Sequence, residues 1–188
     1  MYEKKLSIII PTRNRQIYAN KCVRTILSIN SDNFEVVVHD NSTDTSLRDM
    51  LQDVIDNPKL KYAYSSENLS FCSNFEKSVE LSSGDYVIMI GDDDCVLPAI
   101  VDLANVMRDK GIESVLFPTE NSYYWPNAIK DNQGKLVVRK DRLYVKKLSP
   151  ETAISDMMAV GNYDYQKYSF PKIYHGIVKR ENLDRVKD

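Results

Sequence analysis

No stretch of this sequence is both long and apolar enough to span a bilayer, and the opening MYEKK leads into a short strand-like run rather than a secretory leader. Cysteine is scarce. Cys22, Cys72 and Cys95 stand without paired spacing, which argues against a disulfide framework or a zinc site and fits a reduced compartment. Basic blocks are missing as well. With a formal net charge of −2, a nucleic-acid surface held by phosphate contacts is not expected. The loop PTRNR (Pro11 to Arg15) holds no glycine, so it lacks the Gly-rich phosphate loop that a nucleotidyltransferase would want. What remains is an ordinary globular composition, 43% hydrophobic and 28% charged over 188 residues, enough for one domain with a substantial core. A soluble cytoplasmic domain is expected, with peripheral contact at the inner face of a membrane left open.

What is present is a regular alternation. LSIII (Leu6 to Ile10) reads as a strand stopped by Pro11, and Ala19, Cys22, Val23, Ile26 and Leu27 recur at helical spacing. FEVVVH (Phe34 to His39) is a second strand. Leu47, Met50, Leu51, Val54 and Ile55 mark a second helix, capped by Thr43 or Asp44. LKYAY (Leu60 to Tyr64) follows as a strand. The spacing of Phe71, Phe75 and Val79 predicts a third helix, closed by Gly84. YVIMI (Tyr86 to Ile90), a helix opened by Pro98 and ended by Gly111, and ESVLF (Glu113 to Phe117) complete five strands and four helices. Such alternation predicts an α/β fold with a mostly parallel sheet and helices on both faces. The second half differs. It holds a hairpin around DNQG (Asp131 to Gly134), a helix capped by Ser149, an aromatic loop and a last strand in IYHGIV (Ile173 to Val178).

Parallel sheets bind ligands outside the carboxyl ends of their strands. Three polar groups fall there: PTRNR after the first strand, DNSTD (Asp40 to Asp44) after the second, and Asp92, Asp93 and Asp94 after the fourth. Three adjacent carboxylates repel one another unless a positive charge joins them. A solvated turn is the plain explanation. Against it, a hard cation such as Mg2+ or Mn2+ prefers oxygen ligands and shares them with substrate phosphates. Asp40 could accept hydrogen bonds from a nucleobase N–H or a ribose hydroxyl. Pro11 and Thr12 could line the base, Asp92 could reach the ribose, and Asp93 and Asp94 could hold the cation. Arg13 and Arg15 divide evenly between surface charge and a diphosphate contact.

PTRNR, DNSTD, NLSFCSN (Asn68 to Asn74), SGDYVIMI from Ser83 and GDDDCVLP from Gly91 come in the order and approximate spacing of family-2 glycosyltransferases with the GT-A fold. The chain resembles that family strongly from about Lys5 to Lys110 and weakly beyond. The resemblance implies a three-layer sandwich with a mostly parallel central sheet, and an inverting transfer from a nucleotide-diphosphate sugar using Mn2+ or Mg2+. UDP leads, ahead of dTDP, GDP and CDP. The acceptor would be a saccharide or a lipid-linked saccharide in cell-surface polysaccharide synthesis. Nucleotide-sugar contacts are expected at Pro11, Thr12, Arg13, Asp40, Asn68 and Asp92, and metal contacts at Asp93 and Asp94, with Asp93 the first choice for the direct ligand. Residues 1–188 are expected to form one domain, with a nucleotide-sugar half over 1–118 and an acceptor-side half over 119–188.

Two departures stand out. Ser73 replaces the basic residue that many members carry before the Asn matching Asn74. Glu181 and Asp184 come too early to match the family's catalytic acid, so the base is expected beyond Asp188. Asp164 is a remote alternative base, His175 would border the acceptor side but reads first as structural, and Trp125 leads the aromatics Tyr123, Tyr124, Tyr163, Tyr165 and Tyr168 for acceptor stacking. A nucleotide-sugar-binding module without transferase activity is the competing expectation.

Overall fold

The structure is a computed structural model that describes residues 6–116, 122–123, 134–137, 147, 149, 151–152, 154–155, 174 and 176–185. Trp125, Tyr124, Tyr163, Tyr165, Tyr168, Asp164 and His175 lie outside the described residues, as does the side chain of Tyr123. The chain forms two compact units, Met1–Val115 with Pro171–Asp188, and Leu116–Phe170.

The first unit is built on a six-stranded sheet. In chain order come β1 (Leu6–Thr12), α1 (Gln16–Leu27), β2 (Phe34–Asp40), α2 (Ser46–Met50), β3 (Leu60–Tyr64), α3 (Phe71–Leu81), β4 (Tyr86–Met89), α4 (Ala99–Asp109) and β5 (Ser114–Leu116). In the second unit β6 (Ser122–Tyr123) pairs antiparallel with β7 (Leu136–Val137). Ser149 accepts the backbone N–H of Thr152 at 3.2 Å, the capping bond expected there. The chain returns to the sheet with β8 (Gly176–Lys179) and α5 (Arg180–Asp184). The strand order is β3-β2-β1-β4-β8-β5. β1, β2, β3 and β4 are parallel, and β8 runs antiparallel to β4.

β-branched, continuously apolar strands suit a sheet covered on both sides. Ile9, Val37, Val87 and Met89 face one side, where they pack with Val79 and Phe75 of α3 and Leu183 of α5. Ile8, Ile10, Val36 and Val38 alternate to the other side and are fully buried. There α1 lies against β1 and β2, turning Ala19, Val23 and Ile26 inward.

Three details depart from the sequence expectations. β1 does not stop at Pro11 but runs to Thr12 opposite Asp40. Pro11 has no N–H to give β4, so the β1–β4 ladder ends at Ile9 opposite Met89. The β1–β2 ladder uses the alternate residues and continues. The sheet therefore opens between β1 and β4 at its carboxyl edge. The second helix stops at Met50 instead of reaching Ile55. Arg24 of α1 donates to the Met50 carbonyl at 2.7 Å and pairs with Asp53, and this draws the segment into turns. Lastly, Gly84 does not close α3, which ends in an extended Ser82. Glycine is required at 84 because a Cβ there would lie 2.8 Å from the Ser7 backbone nitrogen.

Candidate functional site

Strand order reverses direction at β1, whose neighbours are β2 on one side and β4 on the other. Ligands of open α/β sheets bind in the crevice outside such a switch point. The loops that rim it are held in two different ways.

On the β2 side the bonds are mostly backbone-directed and buried or part-buried. Asn14 adopts a left-handed conformation (φ 55°), which Asn tolerates better than most residues. Its N–H donates to Ser42 Oγ at 2.9 Å, and its Oδ1 accepts the Thr43 N–H at 2.9 Å. The loops after β1 and β2 are thus tied together. Asp40, 0% exposed, accepts the Ser42 N–H at 2.9 Å and the Tyr62 hydroxyl at 2.8 Å. Burial and the Asp40 carboxylate push the Tyr62 phenol up, so it stays a donor. Asn41 donates to the carbonyls of Ser65 and Glu67 and accepts the Leu69 N–H at 3.1 Å. From α3, buried Asn74 donates to the Thr12 carbonyl at 3.2 Å and pairs through Oδ1 with His39 Nδ1 at 2.6 Å. That contact makes Nδ1 the protonated nitrogen and His39 a packed, positioning residue.

On the β4 side every bond ends on a carboxylate, and two are ion pairs. Thr12 Oγ1 donates to Asp92 Oδ2 at 2.7 Å. Arg15 bridges two carboxylates, with Nε 2.9 Å from Asp92 Oδ1 and Nη2 2.5 Å from Asp93 Oδ2. Its guanidinium also lies 5.0 Å from the Tyr18 ring centroid. Asp94 turns back, accepting the Gly91 N–H at 3.1 Å and the Tyr174 hydroxyl at 2.5 Å. Arg15 therefore supplies one positive charge, shared between Asp92 and Asp93, and Asp94 is held by neutral donors. Burial raises the Asp92 carboxyl above its usual range and Asp93 and Asp94 add to it, while Thr12 and Arg15 oppose. Behind the turn, Cys22 sits 3.9 Å from the Gly91 carbonyl, its thiol pushed up by burial and by Cys95 and the three Asp. It is an inert packing residue.

Among the described residues no three acidic, His or Cys side chains gather closely enough to hold a metal by themselves. Two carboxylates do share one space. A Cβ on Gly91 would meet Asp94 Oδ2 at 2.8 Å, Tyr174 Oη at 2.9 Å and Asp93 Oδ1 at 3.1 Å. One or two carboxylates completed by substrate phosphates and water is the usual Mg2+ arrangement, so the donor set fits such a cation arriving with a substrate.

The structure brings Thr12, Asp92, Asp93 and Asp94 together and adds Arg15. Asp40 stands beside Thr12 in register. Pro11 is half-buried within β1. Arg13 is exposed and points to the Leu69 carbonyl at 3.3 Å, away from the acidic turn. Asn68 is exposed on the segment that Asn41 holds. Glu181 pairs with Lys179 at 2.7 Å and with Arg185. Asn14, Asn41 and Tyr174 were not singled out in the sequence. The tolerance of Asn for left-handed turns could have marked Asn14, but nothing local marks Tyr174.

This fold is the GT-A three-layer sandwich. It is similar to TarS from S. aureus, residues 1–349, with a TM-score of 0.55 and 22% identity over 62% of this chain and 36% of that one. The description of glycosyl transferase family 2 matches residues 7–167, most of the chain, and the chain belongs to that family. It is 25% identical to the abequosyltransferase RfbV of Salmonella typhimurium, over 96% of this chain and 54% of the relative. To the GalNAc(5)-diNAcBac-PP-undecaprenol beta-1,3-glucosyltransferase of Campylobacter jejuni it is 29% identical, over 50% of this chain and 31% of the relative. The chain thus spans between about a third and about half of these curated relatives. Among the described residues no helix is long and apolar enough to cross a membrane.

Proposed function

We propose that this chain carries the donor site of a glycosyltransferase that moves a sugar from a nucleotide-diphosphate sugar, UDP first among the candidates, to a saccharide or lipid-linked saccharide at the cytoplasmic side of a membrane. The observation that carries the reading is the meeting of Thr12, Arg15, Asp92 and Asp93 at the β1–β4 switch point, beside Asp40. Family membership supports it. So do relatives named for sugar transfer, one of them for a PP-undecaprenol acceptor, and the like-folded TarS, which has been solved with UDP-GlcNAc.

In this reading the nucleobase and ribose lie over the Thr12–Asp40 side, where the loops are fixed. The diphosphate lies over the acidic turn, with Mn2+ or Mg2+ held by Asp93 and Asp94. Bound there, the cation would neutralise the departing diphosphate as a Lewis acid. Thr12 keeps Asp92 aimed at the crevice, and Asn74 fixes the Thr12 backbone. Transfer proceeds with inversion, which requires a general base for the acceptor hydroxyl. A base of that kind is worth about 10²–10⁴-fold in rate.

Calorimetric titration with UDP, dTDP, GDP and CDP, each with and without Mn2+, tests the reading. One nucleotide should bind in a Mn2+-dependent manner, and Asp93→Asn should abolish that dependence. A folded sample that binds none of the four would refute the donor site.

A further inference from the structure

Asp93 is asked to do two things at once. The donor reading needs its carboxylate for a divalent cation, yet Arg15 Nη2 already lies 2.5 Å from Asp93 Oδ2. A guanidinium and a divalent cation on one carboxylate repel, and the repulsion grows as water leaves the crevice. The two arms of the Arg15 fork are also unequal. Nε is paired with Asp92, whose side chain is 8% exposed, while Nη2 is paired with Asp93, which is 37% exposed; Arg15 itself is 45% exposed. Thr12 further anchors Asp92 from the opposite oxygen. The Asp92 arm is therefore fixed, and the Asp93 arm is open to solvent and exchangeable.

We propose that Arg15 is a positioning residue that stands on Asp93 in place of the metal until a nucleotide diphosphate arrives. This inference rests on the donor-site reading. Arg15 pivots about Asp92, releases Asp93 to the incoming cation and turns its freed Nη2 toward the diphosphate. Three consequences follow from one displacement. Asp92 and Asp93 stay paired when the site is empty, free metal binds weakly, and metal and nucleotide enter together because each removes the obstacle to the other. By linkage, the factor by which UDP strengthens Mn2+ binding equals the factor by which Mn2+ strengthens UDP binding, and both depend on Arg15. Planar, forked and permanently charged, Arg suits this exchange between carboxylate and phosphate better than Lys.

The test measures Mn2+ binding to the full chain by electron paramagnetic resonance of the free ion, with and without UDP, for the parent, Arg15→Gln, Arg15→Lys and Asp93→Asn, with thermal unfolding run on each. Without UDP, Arg15→Gln should bind Mn2+ about two- to tenfold tighter than the parent, because an exposed competing pair is gone. With UDP present that advantage should vanish or reverse. In the Asp93→Asn background, Arg15→Gln should change nothing. Arg15→Lys, which keeps the charge without the fork, should fall between Gln and the parent. Nitrogen-15 spectra add a structural readout: the Arg15 Nε resonance should persist on adding Mg2+ and UDP, while the Nη2 signal shifts. A folded Arg15→Gln that binds Mn2+ no tighter than the parent would overturn the exchange while leaving the donor site intact. Absence of Mn2+ binding in the parent, with UDP present, would instead remove the donor-site metal and the inference with it.

Discussion

The two edges of the sheet hold similar polar residues in opposite ways. At the amino edge, Glu35 is buried at the start of β2 and accepts from Ser7 Oγ at 2.8 Å, the Ser83 backbone and hydroxyl, and Lys61 at 3.0 Å. Gly84 donates to the same Ser7, and Arg180 of α5 closes the corner through the Gly84 and Val79 carbonyls and Ser82. At the carboxyl edge the same strand ends in Asp40, and the neighbouring turn carries Asp92 and Asp93 under a half-exposed Arg15. A buried carboxylate is thus not by itself a sign of function. Glu35 is fully buried and locks four segments of chain, whereas the acids of the other edge stand where the β1–β4 ladder has opened. The difference teaches that the exposure of a carboxylate's partners, not its burial alone, separates the edge proposed to bind the donor from the edge that holds the fold.

Breaking the amino edge should do the most damage to stability. Glu35→Ala strands the donors of Ser7, Ser83 and Lys61 and should cost about 2–4 kcal/mol, read as a lower denaturant midpoint. The pH dependence has a definite sign. Burial pushes Glu35 up, but the donors from Ser83, Ser7 and Lys61 prevail and hold its carboxyl below the usual value of 4.5. Its contribution is therefore complete above that value and is lost as pH falls through the depressed folded pKa. Acid unfolding of the parent should be steeper below that range than in Glu35→Gln. Gly84→Ala places a Cβ against the Ser7 and Leu6 backbone and should cost about 1–3 kcal/mol.

Asp40→Asn sits between the two regimes. It keeps the shape but removes one acceptor from the Ser42–Tyr62 pair, so stability should fall by about 1 kcal/mol and nucleotide affinity about tenfold in calorimetry. Smallest in stability is Asp93→Asn. It breaks only an exposed ion pair and should shift the unfolding free energy by about 0.5 kcal/mol or less while removing Mn2+-dependent nucleotide binding. If Asp93→Asn lowered the denaturant midpoint as much as Glu35→Ala, the contrast between the edges would fail.

Much of this was legible in the sequence because its cause is local. The β-branched runs Leu6–Ile10, Phe34–His39 and Tyr86–Ile90 form the strands their composition predicts, and Pro98 and Gly111 bracket α4. The gathering of Asp40 and the acidic triplet on one edge follows from the alternation alone. What escaped depends on distant partners. The place of β8, between β4 and β5 and antiparallel to β4, has no signal in IYHGIV, and so Tyr174 beside Asp94 could not be foreseen. Glu35 is hidden inside an apolar run because its role is set by Ser7 and Ser83, 28 and 48 residues away. Of the two arginines in PTRNR, Arg13 was the one expected to touch the nucleotide sugar. Only the fold shows Arg13 turned to the Leu69 carbonyl and Arg15 turned to the carboxylates.

The most direct measurement is a nitrogen-15 chemical-shift map of the chain titrated with UDP and Mg2+. The donor-site account predicts saturable shifts centred on Thr12 to Arg15, Asp40 to Ser42 and Gly91 to Asp94, with Ser7, Glu35, Ser83 and Gly84 unmoved. Shifts confined to the amino edge, or none at the β1–β4 opening in a folded sample, would contradict it.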